Sequence, residues 1–119
     1  MDEEWSVETY ESPSGEKPVD KFIKSLDANS QQKFLRMLDY LAEFRLEGVY
    51  QHTKKLKGTS LWELRILGAT SIRIFYITIT GKVFLLLHGF KKKSQKTPFK
   101  EIATAQKRLE EYQSRKNTS

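Results

Sequence analysis

The sequence predicts an α+β domain of order β-α-α-β-β-β-α: a small antiparallel sheet, an N-terminal helical hairpin packed on one face, and a C-terminal helix. Three observations lead there. Two stretches in the first half repeat apolar residues at helical spacing. Three later stretches are rich in β-branched and aromatic residues and are joined by short turns, which makes them a meander. A last helical pattern opens at Thr97-Pro98 and closes the chain.

The elements follow in order. Trp5-Ser-Val-Glu-Thr-Tyr10 alternates apolar and polar residues and reads as a short strand, ended by Ser12-Pro13-Ser14-Gly15. Pro18 suits the first turn of a helix near 17–27, whose apolar positions are Val19, Phe22, Ile23 and Leu26. The run Ser25-Leu-Asp27-Ala-Asn29-Ser30 supplies a break and a new N-cap. A second helix spans about 31–47, with Phe34, Leu38, Leu41 and Phe44 or Leu46 on one stripe and Gly48 as its stop. Strands follow at about 61–67, 71–79 and 83–91, with turns at Gly68-Ala-Thr70 and Thr80-Gly81-Lys82, where Gly81 suits a positive φ. The final helix covers about 98–114 through Phe99, Ile102, Ala105, Leu109 and Tyr112, and 114–119 reads as a frayed tail. No repeat or linker divides the chain, so 1–119 reads as one domain.

Composition removes several function classes. The chain has no cysteine, hence no disulfide, thiolate zinc site or thiol nucleophile, and its two histidines are too few for a histidine-rich metal site. No apolar run approaches the roughly 20 residues of a membrane span, and the acidic start Met1-Asp-Glu-Glu is unlike a signal peptide. A cytoplasmic protein without a membrane partner is expected. The net charge of +6 hides a segregation: residues 1–16 hold six acids and no Lys or Arg. Between Lys54 and Lys100 there are eleven Lys or Arg residues and one acid, Glu63. Such a separation favours a polyanion at one face and another partner elsewhere.

The chemistry is carried by charged residues within the strands. In Leu61-Trp-Glu-Leu-Arg65-Ile, alternation places Glu63 and Arg65 opposite the core set Trp62, Leu64 and Ile66. Arg73 is a charge inside an apolar row. Counting along the third strand puts His88 with Phe84, Leu86 and Phe90, and Lys91 with Leu85, Leu87 and Gly89. The run Lys91-Lys92-Lys93 with Lys96 leaves that strand, while Lys54, Lys55 and Lys57 sit on a loop entering the sheet. Each has a plain structural reading too: Arg65 as a salt-bridge partner of Glu63, His88 as a packed residue, the lysines as a solvated loop. Fixed guanidinium forks nevertheless suit phosphate better than solvated lysines do. The sequence has no acidic cluster for Mg²⁺, no glycine-rich phosphate loop and no nucleophile elbow, and no cofactor is expected. Metal-free RNA cleavage through the 2′-hydroxyl and RNA binding without cleavage both remain open on these residues.

Leu61-Trp-Glu-Leu-Arg65-Ile, Arg73-Ile-Phe-Tyr76 and above all His88-Gly-Phe-Lys91-Lys92-Lys93-Ser-Gln-Lys96-Thr97-Pro98 resemble the RelE/ParE superfamily of type II toxin–antitoxin toxins, in its HigB-like, phage-derived branch. The likeness spans about 5–112. It implies a ribosome-dependent, metal-independent mRNA endoribonuclease that inhibits translation. It also implies a cognate antitoxin of helix-turn-helix type and contact with operator DNA only through that complex. Carried over by position, Arg65, Arg73, His88, Lys91 and Lys92 would be catalytic, and Lys54, Lys55, Lys57, Lys93 and Lys96 would bind RNA. Where several RNA-cleaving members have a tyrosine or histidine, this chain reads Lys96-Thr97-Pro98-Phe99, and Tyr76 sits in a strand. The alternatives are a ParE-like gyrase-inhibiting toxin, for which no RNA cleavage is expected, and a non-catalytic RNA-binding module.

Overall fold

A computed structural model describes residues 5–49, 53–66, 71–79, 82–92 and 98–117. Its elements are β1 (Ser6–Thr9), α1 (Pro18–Lys24), α2 (Ala28–Val49), β2 (Thr53–Lys55), β3 (Trp62–Ile66), β4 (Ile72–Ile79), β5 (Val83–Lys91) and α3 (Phe99–Asn117). The α+β class holds, with one strand more than the sequence predicted. The stretch expected to be a loop entering the sheet is β2, three residues long and too short to show a period.

The helix boundaries have local causes. Pro18 occupies the first turn of α1, where its missing N–H costs nothing. Asp27 caps α2 by accepting from the Ser30 backbone N–H at 3.3 Å. That bond, after the one to the Ser30 side chain, holds its carboxyl below the usual range. The helix therefore starts at Ala28 and runs through Gly48 to Val49, longer than the sequence reading at both ends.

The five strands lie in the order β1-β5-β4-β3-β2. β2 to β5 form an antiparallel meander, and β1 adds to it parallel to β5. The β2–β3 turn closes through the Leu56 N–H on the Leu61 carbonyl at 3.0 Å, with Gly58 at φ +75°. In the β4–β5 hairpin the positive φ falls on Lys82, at 61°; Gly81 and the Gly68–Thr70 turn lie outside the described residues.

Each sheet face has its own core. On one side Val19 of α1, Leu26 of the turn after it, and Phe34, Met37 and Leu41 of α2 meet Leu64, Ile66, Ile72, Ile74, Tyr76, Phe84 and Leu86. On the other, Ala105 and Leu109 of α3 meet Phe75, Ile77, Leu85, Leu87 and Phe90, with Leu56 and Leu61 of the β2–β3 turn. At Gly89, α1 comes so close that a Cβ there would lie 2.5 Å from the Phe22 ring.

The pairing of β4 with β5 changes register between Phe75 and Tyr76: Phe75 faces His88 while Tyr76 faces Leu86. Leu87 is the extra residue of a β-bulge, and a bulge reverses the alternation beyond it. Simple alternation had His88 with Phe84 and Leu86, and Lys91 with Leu85 and Leu87. Instead, His88 shares the α3 face with Leu85, Leu87 and Phe90, while Lys91, opposite Ile72, falls on the α1–α2 face with Phe84, Leu86 and Gly89.

Candidate functional site

The open part of the α3 face carries the charge. Arg65 of β3 is directly opposite Arg73 of β4, and Glu63 of β3 is directly opposite Lys54 of β2. Like charges facing each other across an antiparallel pair destabilise it, so the Arg65–Arg73 pairing is a cost the fold accepts. Lys54, Arg65 and Arg73, from three adjacent strands, make one cationic patch.

Arg73 is the most constrained of the three. Its side chain is only 16% exposed, Nη1 donates to the Ile72 carbonyl at 3.2 Å, and Nε lies 3.9 Å from Glu63 Oε2. Glu63 itself is 1% exposed, and its other oxygen lies 3.9 Å from Lys54 Nζ. Charged side chains are almost never this buried without ionic partners. Arg65 projects outward and is exposed. A recessed guanidinium flanked by two more accessible cations is well formed to hold a phosphodiester and to meet charge that builds on it.

His88 lies on the same face but turns toward α3. Arg108 Nη1 donates to its Nδ1 at 3.1 Å, and its Nε2 is 2.5 Å from Glu101 Oε1. A guanidinium can only donate, so Nδ1 is the acceptor and Nε2 carries the proton given to Glu101. Burial, reinforced by the Arg108 charge, pushes the His88 pKa down against the opposing pull of Glu101, which keeps the ring neutral near pH 7. Arg108 also donates to the Leu87 carbonyl at 2.8 Å, so the network fastens α3 to β5 at the bulge. Phe90, stacked on His88 at 5.5 Å, and Phe75 are the neighbouring rings on this face.

The remaining sequence-derived positions divide. Lys55 is opposite Trp62 and, like Lys91, lies on the α1–α2 face, away from the two arginines. Lys57 is exposed on the β2–β3 turn. Lys92 follows the strand, its backbone N–H bonded to the Ser71 carbonyl at 2.7 Å. Lys93 and Lys96 lie outside the described residues. Tyr76 is fully buried on the helical face, bonded to Thr53 Oγ1 at 2.7 Å, and burial pushes its pKa up to about 12.

Residues 21–110 match the family described as Phage derived protein Gp49-like (DUF891), which is most of the chain. The chain belongs to that Gp49-like family. The Gp49-like fold is also similar to a chain of a solved structure, described as "archaeal RelE-RelB complex from Pyrococcus horikoshii OT3". The identity is 22% and the TM-score 0.57, over 77% of this chain and 98% of the other. No curated protein matches the Gp49-like chain. The structural likeness shows a fold shared with the RelE-RelB structure's chain. Among the described residues, no helix is long and apolar enough to cross a membrane and no group of acids and histidines is placed to hold a metal ion.

Three residues of this Gp49-like architecture escaped sequence reasoning. Glu101 and Arg108 lie on α3 in an ordinary helical charge pattern, with nothing local to link them to His88. Glu63 did carry a signal, as the one acid in a basic stretch, but it read as a partner for Arg65 on an open face, not as a buried group among three strands.

Proposed function

We propose that this protein is a ribosome-dependent, metal-independent mRNA endoribonuclease, the toxin of a type II toxin–antitoxin pair that works in the cytoplasm. The observation that carries the reading is the patch of Lys54, Arg65 and Arg73, with the Arg73 guanidinium recessed and held in one orientation. In the reaction, the 2′-oxygen of one nucleotide forms a bond to the adjacent phosphorus and loses its proton. The bond to the 5′-oxygen of the next nucleotide breaks, and that oxygen takes up a proton. The products are a 2′,3′-cyclic phosphate and a free 5′-hydroxyl.

Arg73 and Arg65 stabilise the charge that grows on the non-bridging oxygens, and Lys54 guides the strand onto the patch. Removal of one preorganised donor of this kind costs about 10²–10³-fold in rate. His88 takes part in proton movement only after releasing Arg108 or Glu101. As found, it is a fastener of α3, and the proton path runs through a lysine or through groups of the ribosome and the RNA. The partner is a cognate antitoxin, in keeping with the RelE-RelB complex to which the similar archaeal chain belongs, and the helix-turn-helix type follows from the HigB-like resemblance.

Inducible expression of the wild type and Arg73→Ala tests this reading, with growth and full-length mRNA followed over minutes. Growth arrest with in-frame mRNA cuts, both lost in a folded Arg73→Ala protein, is the expected result. Arrest with intact mRNA and a DNA-damage response would select gyrase as target instead. Continued growth with wild-type protein accumulating would leave an RNA-binding module.

A further inference from the structure

Glu63 is the best-buried charge among the described residues and sits where an acid is least expected, under a patch meant for an anion. An apolar residue of similar volume would serve a purely structural need as well or better, because burying an ion pair seldom adds net stability. Its placement points to another use. β3 lies between β2 and β4, and Glu63 directs one oxygen toward the cation of each neighbour: Oε1 to Lys54 Nζ and Oε2 to Arg73 Nε, both at 3.9 Å.

Those separations are informative. A charge-assisted hydrogen bond closes to about 2.7–2.9 Å. At 3.9 Å the carboxylate attracts both cations without taking up their donors. Arg73 Nε is buried and has no hydrogen-bond partner among the described residues, so attraction to the carboxylate is what turns that edge of the guanidinium inward. With Nη1 on the Ile72 carbonyl, the orientation of the plane is defined before any ligand arrives.

We propose that Glu63 is a positioning residue, a buried counter-ion that holds Arg73 and Lys54 in register with each other for the scissile phosphate. The inference rests on the ribonuclease reading and deepens it. It has a consequence of unusual sign. A carboxylate beneath the patch weakens ground-state attraction of RNA while it orients the groups that act in the transition state. Glu63→Gln keeps the shape and removes the charge. The variant therefore binds RNA at least as tightly as the wild type but cuts it more slowly, by roughly 10–100-fold for a guanidinium displaced by up to about 1 Å.

The test is cleavage of a short mRNA in the A site of programmed 70S ribosomes, followed over a range of toxin concentrations. It uses the wild type, Glu63→Gln, Arg73→Ala and the double variant, with thermal unfolding of each protein alongside. The expected result is a kcat at least tenfold lower for Glu63→Gln, an unchanged or lower KM, and no further loss when Glu63→Gln is combined with Arg73→Ala. Wild-type kcat in Glu63→Gln overturns the proposal. So does a loss that adds independently to that of Arg73→Ala, or one that follows a lowered Tm, because either marks a merely structural residue. The side-chain Nε–H resonance of Arg73 gives a readout independent of cleavage: protected from exchange in the wild type, it loses protection in Glu63→Gln. An unchanged resonance refutes positioning even where no RNA is cut, whereas an uncut mRNA with wild-type protein refutes the ribonuclease reading alone.

Discussion

Gly89→Ala adds a single methyl group on the face away from the arginines. Gly89 has an ordinary negative-φ backbone, so alanine meets no conformational bar, and the whole effect is steric. The new Cβ would lie 2.5 Å from Phe22 Cδ2 and 2.9 Å from both Phe22 Cε2 and Ile74 Cδ1. Carbon atoms in contact prefer about 3.5–4.0 Å, so Phe22 must retreat by about 1 Å, taking part of α1 with it. Overpacking of this kind costs about 1–3 kcal/mol. The lower chain entropy of alanine in the unfolded state returns about 0.4–1 kcal/mol. The net is roughly 1–2 kcal/mol. With an unfolding entropy of about 2.1 cal/mol/K per residue over this chain length, that lowers Tm by about 4–8 °C. Calorimetry of Gly89→Ala and of Gly89→Ala/Phe22→Leu reads it directly, the smaller leucine recovering part of the loss. An unchanged or raised Tm for the single variant would refute the close approach of α1 to β5. Because the crowding is on the helical face, mRNA cleavage below the transition is expected to persist. A folded variant that no longer cuts would refute the separation of roles between the faces.

Two further outcomes follow from the site. The His88 pKa is depressed in the folded protein, so the native ring resists a proton that the unfolded chain accepts near the ordinary value of 6.5. Its contribution is complete above that pH and is lost as pH falls below it. The groups around the ring are Glu101, Arg108, Phe75 and Phe90, and the Tm drop between about pH 7.5 and 5.5 should be smaller in His88→Gln than in the wild type; an equal drop refutes the assignment. Since Lys54 shares the Arg65–Arg73 face and Lys91 does not, Lys54→Ala should lower cleavage at least tenfold more than Lys91→Ala, measured on the same programmed ribosomes. The reverse order would move the site to the helical face.

Much of the fold was legible because its signals are local. Pro18 marked the start of α1, the Phe34–Leu38–Leu41 stripe marked α2, and short turns joined β3, β4 and β5. The two missing pieces of the sheet are long-range facts. β2 is three residues, below the length at which alternation registers, and it is held by pairing with β3. The parallel docking of β1 against β5 joins segments more than seventy residues apart, and no local pattern encodes it.

The site was legible as a residue list but not as a geometry, and one extra residue explains most of the difference. Alternation along β5 is a valid rule as far as Leu87, which shares its face with Leu85. Leu87 then bulges, and each later side chain lands on the face opposite to the one that counting assigns. That inversion takes Lys91 away from the arginines and brings His88 toward α3, where Glu101 and Arg108 occupy both ring nitrogens. Arg65 and Arg73 needed no such correction, because β3 and β4 pair without a break. Hydropathy gave no hint of the bulge, since Leu85, Leu86 and Leu87 are equally apolar and both sheet faces are buried there. With both faces buried, the usual penalty for a flipped register, an apolar residue turned to solvent, disappears. What decides which side the polar residues take is then the partner waiting on α3. A bulge stabilised by that partner makes a prediction of its own: Arg108→Ala removes the donor to both the Leu87 carbonyl and His88. Hydrogen exchange at the β4–β5 amides around Phe75 and Leu87 should then accelerate well before that of the Arg65–Arg73 pairing. Uniform acceleration across the sheet would show that the bulge is set by β4 and β5 alone.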